Sequence, residues 1–258
     1  MQKNEKYQQT SKNMSHSKVI EHSFEELSQS LRVLLEADYN ANRGGLLFVD
    51  RAEAVGNIEI GLTGVLNSFH SLYDAIGKQL EKTPIDWYKT APLALILAIR
   101  NARHHNAANR IRTLYTYHTQ EARSLEHMEQ YILVDFTCSD EGADTFDLYV
   151  SWIDLKNLLN LPEKETRIKK ETKNIINEYL NTEKFIEYAE YYELDESRVF
   201  FNIIPLFVNA AATIVPLIKD HCGSKSTEAS FFVVHFTTVI QANTKDHEVN
   251  CGPFVLPK

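Results

Sequence analysis

TAPLALILAIRNARHHNAANRIRTLYTYH, Thr90 to His118, is the stretch on which the reading of this chain turns. At helical spacing Leu93, Ile96, Leu97, Arg100, His104, Ala107, Ala108, Ile111, Leu114 and Tyr115 fall on one stripe. The stripe is apolar except for an arginine and a histidine at its centre. An arginine on a core-facing stripe needs a partner or a wet interface, because burying it unpaired is costly. No acidic residue occurs between Asp86 and Glu121, while Lys89, Arg100, Arg103, Arg110 and Arg112 all do. The whole chain carries −8, so an acidic protein has gathered cations around one Arg/Asn/His cluster. Thr90 and Pro92 suit a helix start. Whether one long helix runs to His118, or two break near His104–Asn106, stays open at this level.

Outward from that stretch the periodicity is mostly helical. Ser23-Phe24-Glu25-Glu26 reads as a capping box opening a helix with Phe24, Leu27, Leu31, Leu34 and Leu35 on its stripe. Arg43-Gly44-Gly45 ends it. A second helix is expected from Asn57 to Glu81, on Ile58, Leu62, Val65, Leu66, Phe69, Leu72, Tyr73, Ile76 and Leu80. Its Gly61, Gly64 and Gly77 weaken it locally and permit close approach of another helix. Tyr131–Thr137 and Asp144–Trp152 alternate instead, and are read as a β-hairpin turning at Cys138–Ala143. Beyond Pro162 lies a charged helix with Glu163/Arg167 and Glu165/Lys169 at pairing distance, then a tyrosine-rich helix over Phe185–Tyr192. Val199–Ile218 is a 20-residue stretch without charge. It reads as a buried core helix, with a membrane segment as the alternative. Phe231–Ile240 reads as a further core helix.

The expected fold is therefore mainly α, a helical bundle with one inserted β-hairpin at about 131–152. Residues 1–17 are expected to be a disordered tail, 18–241 a single domain, and 242–258 an irregular tail. Met1–Ser17 lacks the apolar run of a signal peptide. The widely spaced Cys138, Cys222 and Cys251 form no CxxC, which fits a reduced, cytoplasmic setting. The negative net charge argues against a general nucleic-acid coat but not against a local anion site. No nucleotide-binding glycine loop, HExxH, GxSxG or zinc spacing is present. His104, His105, His118 and His127 match no metal template, so neither metal nor cofactor is expected.

What remains is Arg100-Asn101-x-x-x-His105. It resembles the motif of the HEPN family (higher eukaryotes and prokaryotes nucleotide-binding domains), in which arginine is followed after four to six residues by histidine, often with Asn, Asp or His after the arginine. Leu62-x-x-Val65-Leu66-x-x-Phe69-x-x-Leu72-Tyr73-Asp74 is similar to the helix preceding that motif. The resemblance covers Ile58–Tyr117 and leaves everything after Asp144 unaccounted for. Arg112…His118 also fits the spacing, but Arg100 is favoured by Asn101, its place on the stripe and the missing acids.

The resemblance implies a helical bundle and a metal-independent endoribonuclease, a toxin or defence effector. It further implies a site formed across a homodimer, and an antitoxin or activator as partner. RNA supplies its own nucleophile, the ribose 2′-OH. Histidine suits the proton transfers, and arginine the phosphate charge. Arg100, Asn101, His105 and His104 are thus the expected catalytic residues, with either histidine acting. Arg103, Arg110 and Arg112 are expected to contact RNA. Two alternatives stand beside this: a non-catalytic helical interaction protein, in which Arg100 pairs with an acid of another helix, and a membrane-associated protein using 199–218. His70 and Asp74 read as surface or structural residues that could face the motif.

Overall fold

A computed structural model of the chain describes residues 18–122, 128–137, 146–223 and 226–256. Helices dominate, and a small sheet is set into them. The first helix, α1 (Val19–Asn42), begins four residues before the expected capping box, so Ser23 and Glu26 lie within it. Ile20 and Phe24 are both fully buried, extending the apolar stripe backward. The amide of Ile20 donates to the side-chain oxygen of Gln79 at 2.9 Å, which satisfies one of the amides left without a partner at the helix start.

After the short α2 (Leu46–Val49), α3 runs from Arg51 to Gln79. Asp50 caps it by accepting from the Glu53 amide. α1 and α3 pack closely: a Cβ on Gly61 would sit 3.0 Å from the Leu34 Cα, so glycine sets the spacing there. α4 (Ala91–His104) is buried on nearly every side between α3 and later helices.

α4 stops at His104. The chain then passes through five residues of positive φ, namely Asn106, Ala108, Asn109, Arg110 and Ile111. Such a run without glycine is strained, and for a β-branched isoleucine especially so. α5 (Leu114–Glu121) resumes the helix with Thr113 as its cap. The Thr90–His118 stretch is thus two helices.

Two of the four strands fall where alternation pointed, but they pair differently. β1 (Glu129–Thr137) and β2 (Tyr149–Ser151) form no hairpin, because β3 (Val199–Asn202) lies between them in the order β2-β3-β1-β4. β1 runs parallel to β3, with Ile132 opposite Val199. β1 is buried on both faces through Tyr131, Ile132, Val134 and Phe136, as befits a central strand. The turn expected at Cys138–Ala143 lies outside the described residues. β2 is cut short because Ser151 caps the following helix, α6 (Trp152–Asn160), by accepting from the Asp154 amide.

α7 (Glu163–Thr166) ends at Arg167 in the left-handed region, so the expected Glu163/Arg167 and Glu165/Lys169 pairs lose their helical spacing. α8 (Lys170–Leu180) and α9 (Glu183–Tyr191) follow. Val199–Ile218 is not one helix: its first residues are β3, and α10 (Ile204–Ile218) begins with Pro205 in the first turn. Among the described residues no helix is long and apolar enough to cross a membrane. α11 (Thr227–Thr238) buries Phe232 and Phe236 but leaves Phe231 and Val234 outside, so it is only half a core element.

The stretch read as an irregular tail is β4 (Asn243–Phe254), antiparallel to β1 and paired along it from Glu129 to Thr137. Only one of its twelve residues, Thr244, is buried, and its apolar residues are few, so hydrophobic patterning did not reveal it. Backbone hydrogen bonding holds it, and a polar edge strand is protected from further pairing. The domain therefore extends through β4.

Candidate functional site

α3 and α4 lie side by side, and the break after His104 leaves a cavity of about 260 Å³ at the C-terminal end of α4. Arg100, Arg103 and His104 line it from α4, Asn67 from α3, and Asn106 and Arg110 from the strained segment. Helical spacing accounts for the first set: residues 100, 103 and 104 share a face.

The Arg100 guanidinium donates through Nη1 to the Asn101 side-chain oxygen at 3.1 Å. Its Nε is buried without a hydrogen-bond partner. Among the described residues no carboxylate lies within ion-pairing distance of Arg100. A permanent cation that lines a cavity and has no ion-pair partner among the described residues suits an anion. Asn101, expected among the catalytic residues, holds the arginine by this hydrogen bond.

The two histidines part company. His104 lines the cavity, whereas His105 caps the helix end and stays outside it. Both are exposed, and their rings meet edge to face with centroids 4.9 Å apart. The geometry therefore pairs Arg100 with His104, although motif spacing pointed to His105.

Two of the three arginines expected to contact RNA are otherwise employed. Arg103 is 6% exposed and ion-paired to Glu59, and it also donates to the Ile111 carbonyl at 3.3 Å. Glu59 in turn accepts from the Thr113 and Thr116 hydroxyls, each at 2.6 Å. Burial alone would raise the Glu59 carboxyl, but the Arg103 charge and the hydroxyls outweigh it and hold it below its ordinary value.

Arg112 is 9% exposed, bound to Asp154 and Glu121, and stacked over the Tyr117 ring at 4.6 Å. Arg112 and Arg103 thus anchor the strained segment from below. Arg110 is exposed and lines this cavity and a neighbouring one of about 460 Å³. Of the three arginines, it is the one left at the surface. The second motif match, Arg112…His118, is structural: His118 is fully buried with Nδ1 at 3.0 Å from the Tyr131 hydroxyl.

Sequence reading missed Glu59 and Asp154. Glu59 had a signal, being the only acid between Glu53 and Asp74 on an apolar helix. Asp154 had a weaker one, the helix-start position after Ser151. Further along α3, His70 has Nδ1 3.6 Å from the Asp74 carboxylate. Burial and the charges of Arg100 and His104 hold its imidazole below the usual histidine value, with Asp74 opposing. Among the described residues no group of three or more His, Cys, Asp or Glu gathers in a metal-binding arrangement. A larger cavity, about 560 Å³ between α6, α8 and α9, is lined by neither histidine nor arginine.

Compared with protein-family models, with curated protein sequences and with solved structures, the chain matches none of them.

Proposed function

We propose that this chain is a HEPN-like, metal-independent endoribonuclease that cleaves RNA by attack of the ribose 2′-OH. The observation that carries the reading is Arg100. It is a guanidinium with a buried, unfilled donor and no carboxylate partner among the described residues, sharing a cavity with His104. Arg100 would bind the phosphate oxygens and stabilise their growing charge. His104 would move a proton at the ribose or leaving-group oxygen. Arg110 would draw the backbone toward the cavity. The products would be a 2′,3′-cyclic phosphate and a 5′-hydroxyl.

A toxin or defence role in the cytoplasm, a homodimer, and an antitoxin or activator belong to the same proposal and rest on the family resemblance alone. The test is incubation of purified protein with RNA in EDTA. Cleavage that disappears in Arg100→Ala and in His104→Ala is the expected result. Intact RNA, or variants that cut as well as the wild type, would overturn it.

A second reading has its own observation. Ile60 is 71% exposed and lines the neighbouring cavity, and Phe48 and Val49 stand exposed just ahead of α3. Exposed apolar side chains of this kind suit a partner protein or a second copy. Under that reading Ile60→Glu changes the mass seen by light scattering, and Arg100→Ala leaves RNA untouched because nothing is cut.

A further inference from the structure

We propose that the cavity adjoining the Arg100 site is a nucleobase subsite, in which Asn109 and Gln120 read the edge of a base next to the scissile phosphate. The inference rests on the nuclease reading and deepens it, since it names what flanks the phosphate that is cut. Two cavities meet here. The one lined by Arg100 and His104, and its neighbour of about 460 Å³, share Thr63, Arg103 and Arg110 in their walls. A strand whose phosphate occupies the first therefore lays an adjoining nucleoside into the second. That volume falls within the range of small-molecule sites.

The two walls differ in charge. Among the described residues no carboxylate lines the Arg100 cavity, whereas Glu59 lines the larger one. Of the guanidiniums in the larger cavity, Arg103 is already paired with Glu59, and Arg112 with Asp154 and Glu121. A space walled by an acid and by neutralised cations suits an uncharged group better than a second phosphate. Bases are uncharged, and sequence-specific RNA recognition reads them by hydrogen bonds to their edges. Ile60 is 71% exposed and gives the cavity an apolar ledge for a base plane. Arg110 is exposed, and a planar guanidinium stacks on such rings.

The buried ion pair beneath the cavity decides what each amide offers. Asn109 Nδ2 donates to Asp154 Oδ1 at 3.0 Å; an ionised carboxylate only accepts, so the Asn109 oxygen is left as an acceptor. Gln120 Oε1 accepts from Arg112 Nη1 at 3.3 Å; a guanidinium only donates, so the Gln120 nitrogen is left as a donor. Among the described residues neither of these two atoms makes a hydrogen bond. Both residues line the cavity and both are exposed. A free side-chain amide can turn over and suit any base. Here the Asp154–Arg112 pair fixes one acceptor and one donor, so a base presenting its groups in the wrong order leaves them unpaired.

The experiment is titration calorimetry of wild type, Gln120→Ala and Asn109→Gly with inorganic phosphate and with the common ribonucleosides as 3′- and 5′-monophosphates. Glycine is used at 109 because that residue has a φ of 50°. Cut sites in RNA are mapped in parallel by sequencing the product ends. One nucleotide is expected to bind wild type about 10-fold or more tighter than the others and than phosphate, and cuts are expected to fall beside that base. Either variant is expected to reduce this preference by a factor of about 10. Gln120→Ala, on regular helix, keeps the test open if the strained turn does not tolerate glycine. Cleavage beside every base alike, with nucleotides binding no tighter than phosphate, removes the subsite and leaves the nuclease reading standing. A preference that survives in both variants also overturns the assignment. Base-selective binding that the variants lose, without any cleavage, keeps the subsite and overturns the nuclease reading. A wild type that neither binds nucleotides nor cuts RNA overturns both.

Discussion

Asp154 grips Arg112 three times: its carboxylate accepts from Nε at 2.8 Å, from Nη2 at 2.9 Å and from the Arg112 backbone amide at 3.1 Å. The carboxylate is fully buried, and Asn109 adds a fourth hydrogen bond at 3.0 Å. One acid on α6 thus fixes both ends of a turn whose backbone is strained. Asp154→Ala leaves the buried Arg112 charge with Glu121, Gln120 and the Tyr117 ring face for partners, and removal of one member of a buried pair costs about 3–5 kcal/mol. Urea unfolding should show that loss. A stability close to wild type would mean that the turn is held by something else.

Glu59 gives a pH signature. Its carboxyl lies below the ordinary value in the folded protein, so its stabilisation is fully present above the unfolded value and lost as pH falls through the folded one. The melting temperature of the wild type should therefore drop as pH is lowered below about 4.5. Glu59→Gln should be less stable at neutral pH and should lose part of that acid dependence. Parallel melting curves for both proteins would disprove the assignment.

Asp38 has the opposite sign. Burial raises its carboxyl to about 6, against a hydrogen bond from Asn42 that lowers it. A raised acid favours the folded state below its unfolded value, and that contribution fades as pH rises through about 6. Asp38→Asn should melt higher than wild type at pH 8 and should lose this advantage in acid. Thermal melts at both extremes decide it.

Gly61 sits where α1 and α3 touch. Alanine there improves helix propensity by up to about 1 kcal/mol, but its Cβ would meet the Leu34 Cα at 3.0 Å. A backbone atom cannot rotate away, and overpacking costs about 1–3 kcal/mol. Gly61→Ala is expected to destabilise. At Gly77 an added methyl group would meet no atom within 4 Å, so the same change should stabilise the protein there. Equal effects at the two glycines would refute the packing argument.

His104 and His105 separate motif spacing from geometry. His105→Ala should cut RNA at nearly the wild-type rate, since that ring stays outside the cavity. His104→Ala should lose a factor of about 10² to 10⁴. The reverse pattern, measured on the same RNA, would show that spacing was the better guide.

Wherever one buried face dominates, sequence and structure agree. Ile58, Leu62, Val65, Phe69 and Leu72 predict α3 because a helix packed on one side must repeat its apolar residues. The same logic located β1 by its alternation. It could not locate β4, which has few apolar residues and is held to β1 by a long run of backbone pairing. It also could not assign Val199–Asn202, because four buried residues suit a strand and a helix equally.

The amino-acid sequence by itself determined that the chain is mainly helical, and that Arg100 and its neighbours form a cationic centre in an acidic protein. Only the tertiary structure decided which cations are free. Arg103 and Arg112 find Glu59 and Asp154, which come from α3 and α6, while among the described residues Arg100 finds only the Asn101 side chain. Helical periodicity is a local property of the backbone and can be read along the chain. Charge pairing depends on which distant segments are brought within a few ångströms, and one-dimensional spacing carries no record of that.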